Sequence, residues 1–154
     1  MSGSAGLTFL FYSGNGLVDR VIQWRTRSVY SHVAALVGAD VMYEATTSGW
    51  TKRVDQEAQQ RAAGAALSIP TMPEQDDLDR AVRWADARVG SEYGYESDLA
   101  LALGLIVSRP GVFVCSTGCA EMASIAGVLE DADPRAETPG SFAAALQLAQ
   151  AAAR

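Results

Sequence analysis

Gly111-Val112-Phe113-Val114-Cys115-Ser116-Thr117-Gly118-Cys119-Ala120-Glu121 is the stretch on which the reading of this chain turns. Three apolar, β-prone residues run into Cys115. Small polar residues then open an amphipathic pattern that predicts a helix burying Cys119, Met122, Ala123 and Ala126. Cys115 thus falls where a strand or loop hands over to a helix N-terminus. Unpaired backbone N–H groups and the helix dipole favour an anion there, so a thiol at that point ionises more readily. A cysteine nucleophile needs this arrangement, but an inert packing cysteine fits the same letters. The rest of the chain has to choose between them.

Upstream, Leu99 to Val107 is apolar with a helical pattern and is broken by Arg109-Pro110-Gly111, while Glu92 to Glu96 is aromatic and turn-like. Pro73, followed by Glu74, Asp76 and Asp77, starts a helix with acids at its positive end. Its buried stripe is Leu78, Ala81, Val82, Ala85 and Val89, and Gly90 stops it. Ala65 to Ile69 predicts a strand, Asp55 to Ala63 a polar helix, Thr51 to Val54 a short edge strand, and Ser48-Gly49-Trp50 a loop. Ser31 to Val37 and Val41 to Thr46 form a hairpin about Gly38-Ala39-Asp40. Leu17, Val18, Val21 and Ile22 make a helical stripe capped by Asn15 and ended by Arg25 and Arg27, with Trp24 packing on it.

Leu7 to Tyr12 is the first strand, after a fraying tail, Met1 to Gly6. The turn that follows, Ser13-Gly14-Asn15-Gly16, has neither the lysine of a P-loop nor the third glycine of a dinucleotide site. Downstream of the cysteine helix comes an acidic loop, Glu130 to Glu137. Thr138 then caps an alanine-rich helix that starts at Pro139.

A chain of 154 residues fits one domain with a core of its own. With 49% hydrophobic and 19% charged residues the chain reads as globular and not disordered. A net charge of −6 argues against unaided binding to nucleic acid or an anionic membrane surface. The two cysteines lie four apart on one helical pattern, too constrained for a disulfide, and with the single histidine they make no structural zinc set. No metal or other cofactor is expected. Gly-x-Ser-x-Gly is absent, which argues against a serine hydrolase of the elbow type. The apolar run Leu7 to Phe11 is too short for a signal h-region or a membrane span. The expectation is therefore cytoplasmic synthesis without stable membrane insertion. Delivery by another route, or in association with a phage particle, would leave no mark in the sequence.

Any cysteine–histidine mechanism is confined to one base, because His32 is the only histidine. It opens an apolar strand where an aliphatic residue would normally stand, and imidazole can take a thiol proton and later return one to a leaving group. Glu44 lies in Met42-Tyr43-Glu44-Ala45 on the return strand, where cross-strand pairing can bring a carboxylate against the imidazole. A packed histidine and a solvent-facing glutamate are the plainer alternatives for these two residues.

The ordered blocks resemble the circularly permuted papain-like cysteine hydrolases of the NlpC superfamily, in their YiiX/YaeF-like branch. The blocks are Thr26-Arg27-Ser28-Val29-Tyr30-Ser31-His32-Val33, Tyr43-Glu44-Ala45, Gly90-Ser91-Glu92-Tyr93, Phe113-Val114-Cys115-Ser116 and Thr138-Pro139. With the opening strand and closing helix they run from Leu7 to Leu148, and histidine precedes cysteine, as in the permuted order. The chain departs from the family pattern at Thr117-Gly118-Cys119, where Glu-Leu commonly follows Cys-Ser.

The resemblance implies a single α+β papain-like domain, a small antiparallel sheet packed against helices. In it Cys115 is nucleophile, His32 general base and acid, and Glu44 the orienting group. The Cys115 backbone N–H would hold the oxyanion, with Tyr12 and Ser116 as further oxyanion or substrate contacts. The activity implied is amide hydrolysis through an acyl-enzyme, on a peptide, a muropeptide or an acyl lipid. An acyltransferase or lipid thioesterase on the same scaffold is an alternative that a cleft lined by Leu101, Leu105 or Trp50 would favour. A catalytically silent structural or binding module, such as a phage-particle component, is another.

Overall fold

The structure is a computed structural model that describes residues 6–46, 48–91, 115–130, 133 and 138–153. Five antiparallel strands form one sheet in the order β4-β3-β2-β1-β5. They are β1 (Leu7–Tyr12), β2 (His32–Val37), β3 (Val41–Thr46), β4 (Gly49–Val54) and β5 (Leu67–Thr71). The described helices are α1 (Leu17–Thr26), α2 (Asp55–Ala63), α3 (Gln75–Asp86), α4 (Cys115–Ile125) and α5 (Pro139–Ala152). The coarse class, α+β, is as the sequence predicts.

Alternation along the strands sorts the side chains onto two faces. Phe9, Phe11, Val33, Ala35, Tyr43, Ala45 and Trp50 pack with Leu78 and Ala81 of α3, Cys119 and Met122 of α4, and Phe142 and Leu146 of α5. The opposite face carries Leu10, Tyr12, Ala34 and Met42, covered by Ala58 of α2. The register pairs Tyr12 with His32 and Ala34 with Glu44, so His32 and Glu44 belong to the α2 face. One end of the sheet gathers Tyr12, His32, Thr46, Gly49 and Leu67, and the other Leu7, Val37, Val41, Val54 and Thr71.

Several boundaries differ from the sequence reading, each for a local reason. Asn15 does not cap α1. The chain turns in at Gly16, whose N–H donates to Asp19 Oδ2 at 3.0 Å, so the carboxylate three residues on serves the helix start. Trp24, expected to pack, is 76% exposed. Trp50, expected in a loop, is the buried second residue of β4, because pairing with β3 begins at Thr46 and Gly49. The fifth strand runs two residues later than expected and admits Pro70, which an edge strand tolerates. Helix α3 ends at Asp86, leaving Val89 exposed, and Gly90 takes a positive φ of 91° beyond it.

Thr138 caps α5 as expected, its Oγ1 accepting from the Ser141 N–H at 3.2 Å. The expectations for residues 1–5, for the segments within 92–114, and for most of the acidic loop lie outside the described residues.

Gly118 is one place where the absence of a side chain is required. A β-carbon there would stand 2.3 Å from Cζ3 of Trp50, so α4 rests directly on the indole. Gly118 thus has a packing reason in this chain. Gly118→Ala gains up to about 1 kcal/mol of helix propensity but forces the buried ring to move at about 1–3 kcal/mol. Urea unfolding should therefore show a net loss of stability, and an unchanged or higher midpoint would mean that the ring yields freely.

Candidate active site

The entry of β2 is set by a knot of hydrogen bonds around residues 13–31. Ser31 N–H donates to the Tyr12 carbonyl at 2.9 Å, Gly14 N–H to Ser31 Oγ at 3.1 Å, and Ser13 Oγ to the Val29 carbonyl at 2.8 Å. Gln23 of α1 donates to the carbonyls of Gly14 and Val29, both at 3.1 Å. These bonds hold the segment that delivers His32 opposite Tyr12.

His32 and Glu44 meet across the hairpin, Nε2 to Oε2 at 2.7 Å, as the cross-strand spacing predicts. The imidazole is 18% exposed and the glutamate 0%. With Nε2 engaged by the carboxylate, Nδ1 is the ring nitrogen left for another partner. Arg53 of β4 donates from Nε to Glu44 Oε1 at 2.6 Å, and Arg61 of α2 from Nη2 to Oε2 at 3.2 Å. Burial pushes the Glu44 carboxyl up, but hydrogen bonds from His32, Arg53 and Arg61 outweigh it and hold the group down at about 2. The buried glutamate is a carboxylate, and it orients the ring.

Sequence reasoning missed both arginines. A signal for Arg53 existed in the β3–β4 register, which pairs Glu44 with Thr51 and Met42 with Arg53. Arg61 carried no such signal, because only the docking of α2 on the sheet brings it to Glu44.

Tyr12, proposed as an oxyanion donor, is placed otherwise. Its hydroxyl donates to the Arg61 carbonyl at 3.0 Å, so its single proton is committed there. Its ring lies under the Arg61 guanidinium at 4.4 Å and beside the His32 ring at 5.7 Å. Burial pushes its phenol up to about 12, against the lowering effect of Arg61. Ser116 is buried in the first turn of α4, so its side chain is not presented to a cleft.

Cys119 is core. Its sulfur lies 3.7 Å from the Val33 carbonyl, and burial pushes its thiol well up. Trp50, considered above as a cleft residue, is wholly buried, its Nε1 donating to the Ala85 carbonyl at 3.2 Å. Leu101 and Leu105 lie outside the described residues.

Cys115 is the first residue of α4, and its side chain is outside what the structure describes. The direction of the helix is nevertheless set. Cys119 touches Val33, next to His32, and Gly118 touches Trp50, opposite Ala45. Beyond the other end of α4, Gly127 and Val128 border a groove of about 390 Å³ with Thr71, Met72 and Pro73, at the Leu7 end of the sheet. Helix α4 therefore runs from the His32 end toward the Leu7 end, and its N-terminus stands at the end where the imidazole does. The helix covers the face opposite α2, so any approach of Cys115 to His32 is around the end of β2.

Among the described residues no three His, Cys, Asp or Glu side chains are grouped to hold a metal ion, and no helix is long and apolar enough to cross a membrane. A single histidine oriented by a buried carboxylate therefore stands at the end of the sheet from which the cysteine-headed α4 starts. Compared with protein-family models and with curated proteins, the chain finds no match.

Proposed function

We propose that the chain is a papain-like cysteine hydrolase of the permuted, NlpC-type order, cleaving an amide bond in a peptide or peptidoglycan-type substrate through an acyl-enzyme. The observation that supports this most is the His32–Glu44 pair, 2.7 Å apart at the end of the sheet where α4 begins with Cys115. His32 takes the Cys115 proton, and the thiolate attacks the carbonyl carbon. Backbone N–H groups at the start of α4 stabilise the oxyanion. Collapse of the tetrahedral intermediate breaks the C–N bond as the imidazolium protonates the leaving amine. Water, deprotonated by His32, then cleaves the thioester, releasing the acid and restoring the thiol.

Iodoacetamide near neutral pH is expected to label Cys115 at least about tenfold faster than Cys119, given the burial that raises the Cys119 thiol. His32→Ala should remove most of that advantage. Equal, slow labelling of both cysteines would overturn the nucleophile assignment. Intact-mass trapping of an acyl adduct on Cys115, across panels of peptides, muropeptides and acyl lipids, then identifies the substrate class.

A further inference from the structure

Glu44 is completely buried, and a buried carboxylate needs compensating positive charge. Were His32 its sole partner, that charge would have to be imidazolium, the form that cannot accept a proton from a thiol. The structure supplies the charge elsewhere. Arg53 covers Oε1 at 2.6 Å, and Arg61 reaches Oε2 at 3.2 Å, with its Nε 3.4 Å from each oxygen. The two come from different elements, and each is itself held. Arg53 Nη1 is paired with Glu57 of α2, while Arg61 stacks on Tyr12 and receives the Tyr12 hydroxyl on its own carbonyl.

We propose that Arg53 and Arg61 are positioning residues for His32 that act through Glu44. They compensate the buried carboxylate so that the imidazole is held in place yet left neutral, with Nε2–H donating to Glu44 and Nδ1 unprotonated. This role rests on His32 being the catalytic base, and it adds to that reading the residues that keep the base in its proton-accepting form. Among the described residues, the charged and titratable groups facing Glu44 are His32 from β2, Arg53 from β4 and Arg61 from α2. Glu57 lies behind Arg53, Tyr12 stands on β1, and the Cys119 thiol lies across the sheet on α4. Loss of either arginine removes positive charge next to the pair, which favours protonation of the ring.

Because His32 is the only histidine, its ring can be followed by long-range proton–nitrogen NMR in the full chain without assignment ambiguity. The test compares wild type with Arg53→Met and Arg61→Met, and with Arg53→Lys and Arg61→Lys. Both arginines are partly exposed, at 29% and 42%, so the methionine variants should fold, and circular dichroism checks that they do. At a fixed pH near neutrality, each methionine variant should raise the ratio of doubly protonated to neutral ring about tenfold, and the lysine variants should return most of the way to wild type. Wild-type ring signals in all four variants would overturn the proposal. So would lysine variants that match the methionine ones, since packing and not charge would then govern the ring.

The alkylation rate of Cys115, measured on the same samples, keeps the two ideas separable. If Cys115 labels slowly even in wild type, the hydrolase reading fails, while the NMR ratios still decide whether the arginines compensate Glu44.

Discussion

Glu44→Gln is expected to lower turnover of whichever substrate acylates Cys115 by about 10²-fold or more, and to slow alkylation of Cys115 in parallel. The isosteric amide keeps the side chain's shape but offers one acceptor oxygen and one donor. Glu44 now accepts from His32, Arg53 and Arg61. Whichever of them faces the new NH₂ meets a donor, so the ring is no longer held with a full carboxylate behind it. Steady-state kcat/KM and the alkylation rate check this, and undiminished values of both would remove Glu44 from the mechanism.

The cost to the fold should be small by comparison, about 1–3 kcal/mol, because the arginines are exposed enough to turn toward water. That cost should depend on pH in a defined direction. The Glu44 carboxyl titrates in the folded chain at about 2, below its ordinary value of 4.5. A group depressed on folding contributes stability that is fully present above its unfolded value and is lost as pH falls through the folded one. Urea midpoints of wild type and Glu44→Gln should therefore differ most above pH 4.5 and converge toward pH 2. A constant gap would show that Glu44 is not the linked group.

Trp50→Ala is expected to have the largest effect on stability, about 3–5 kcal/mol. The indole is fully buried, stacked on Tyr43 at 6.3 Å, edge-on to Trp84 at 6.1 Å, and covered by Gly118. Truncation leaves a cavity at the junction of β4, α3 and α4, and it removes the Nε1 bond to the Ala85 carbonyl, which keeps the Arg88 N–H at 3.1 Å. Such a loss is a large part of a typical domain's 5–15 kcal/mol and should lower Tm on the order of 10 °C. A change of only a degree or two would mean that α4 is held mainly by its other contacts. Since α4 rests on this ring, Cys115 alkylation should lose its His32 dependence as the variant approaches its transition.

Much of the strand and helix pattern could be read from local chemistry. The hairpin from His32 to Thr46 was legible because two short β-prone runs flank the glycine-containing turn Gly38-Ala39-Asp40, and its pairing brought His32 to Glu44. The α5 cap was legible because threonine before proline has few other uses. Trp50 misled, since a Ser-Gly-Trp run looks like a loop until the tryptophan lies beside Ala45 of β3 and its own N–H and carbonyl are taken by Ser91 and Gly90. Trp24 misled in the other direction, because amphipathic spacing does not say whether a partner element covers the stripe.

At the candidate site the same division holds. From sequence alone came the sole histidine, the carboxylate on the adjoining strand and the cysteine heading a helix, because each depends on residue type and short spacing. Tertiary structure alone decided that Arg53 and Arg61 converge on Glu44, that Tyr12 gives its proton to the Arg61 carbonyl, and that α4 points its N-terminus to the His32 end of the sheet. Those facts depend on where α2 and α4 dock on opposite faces. Docking is set by the summed packing of both faces, and no local stretch of sequence encodes that.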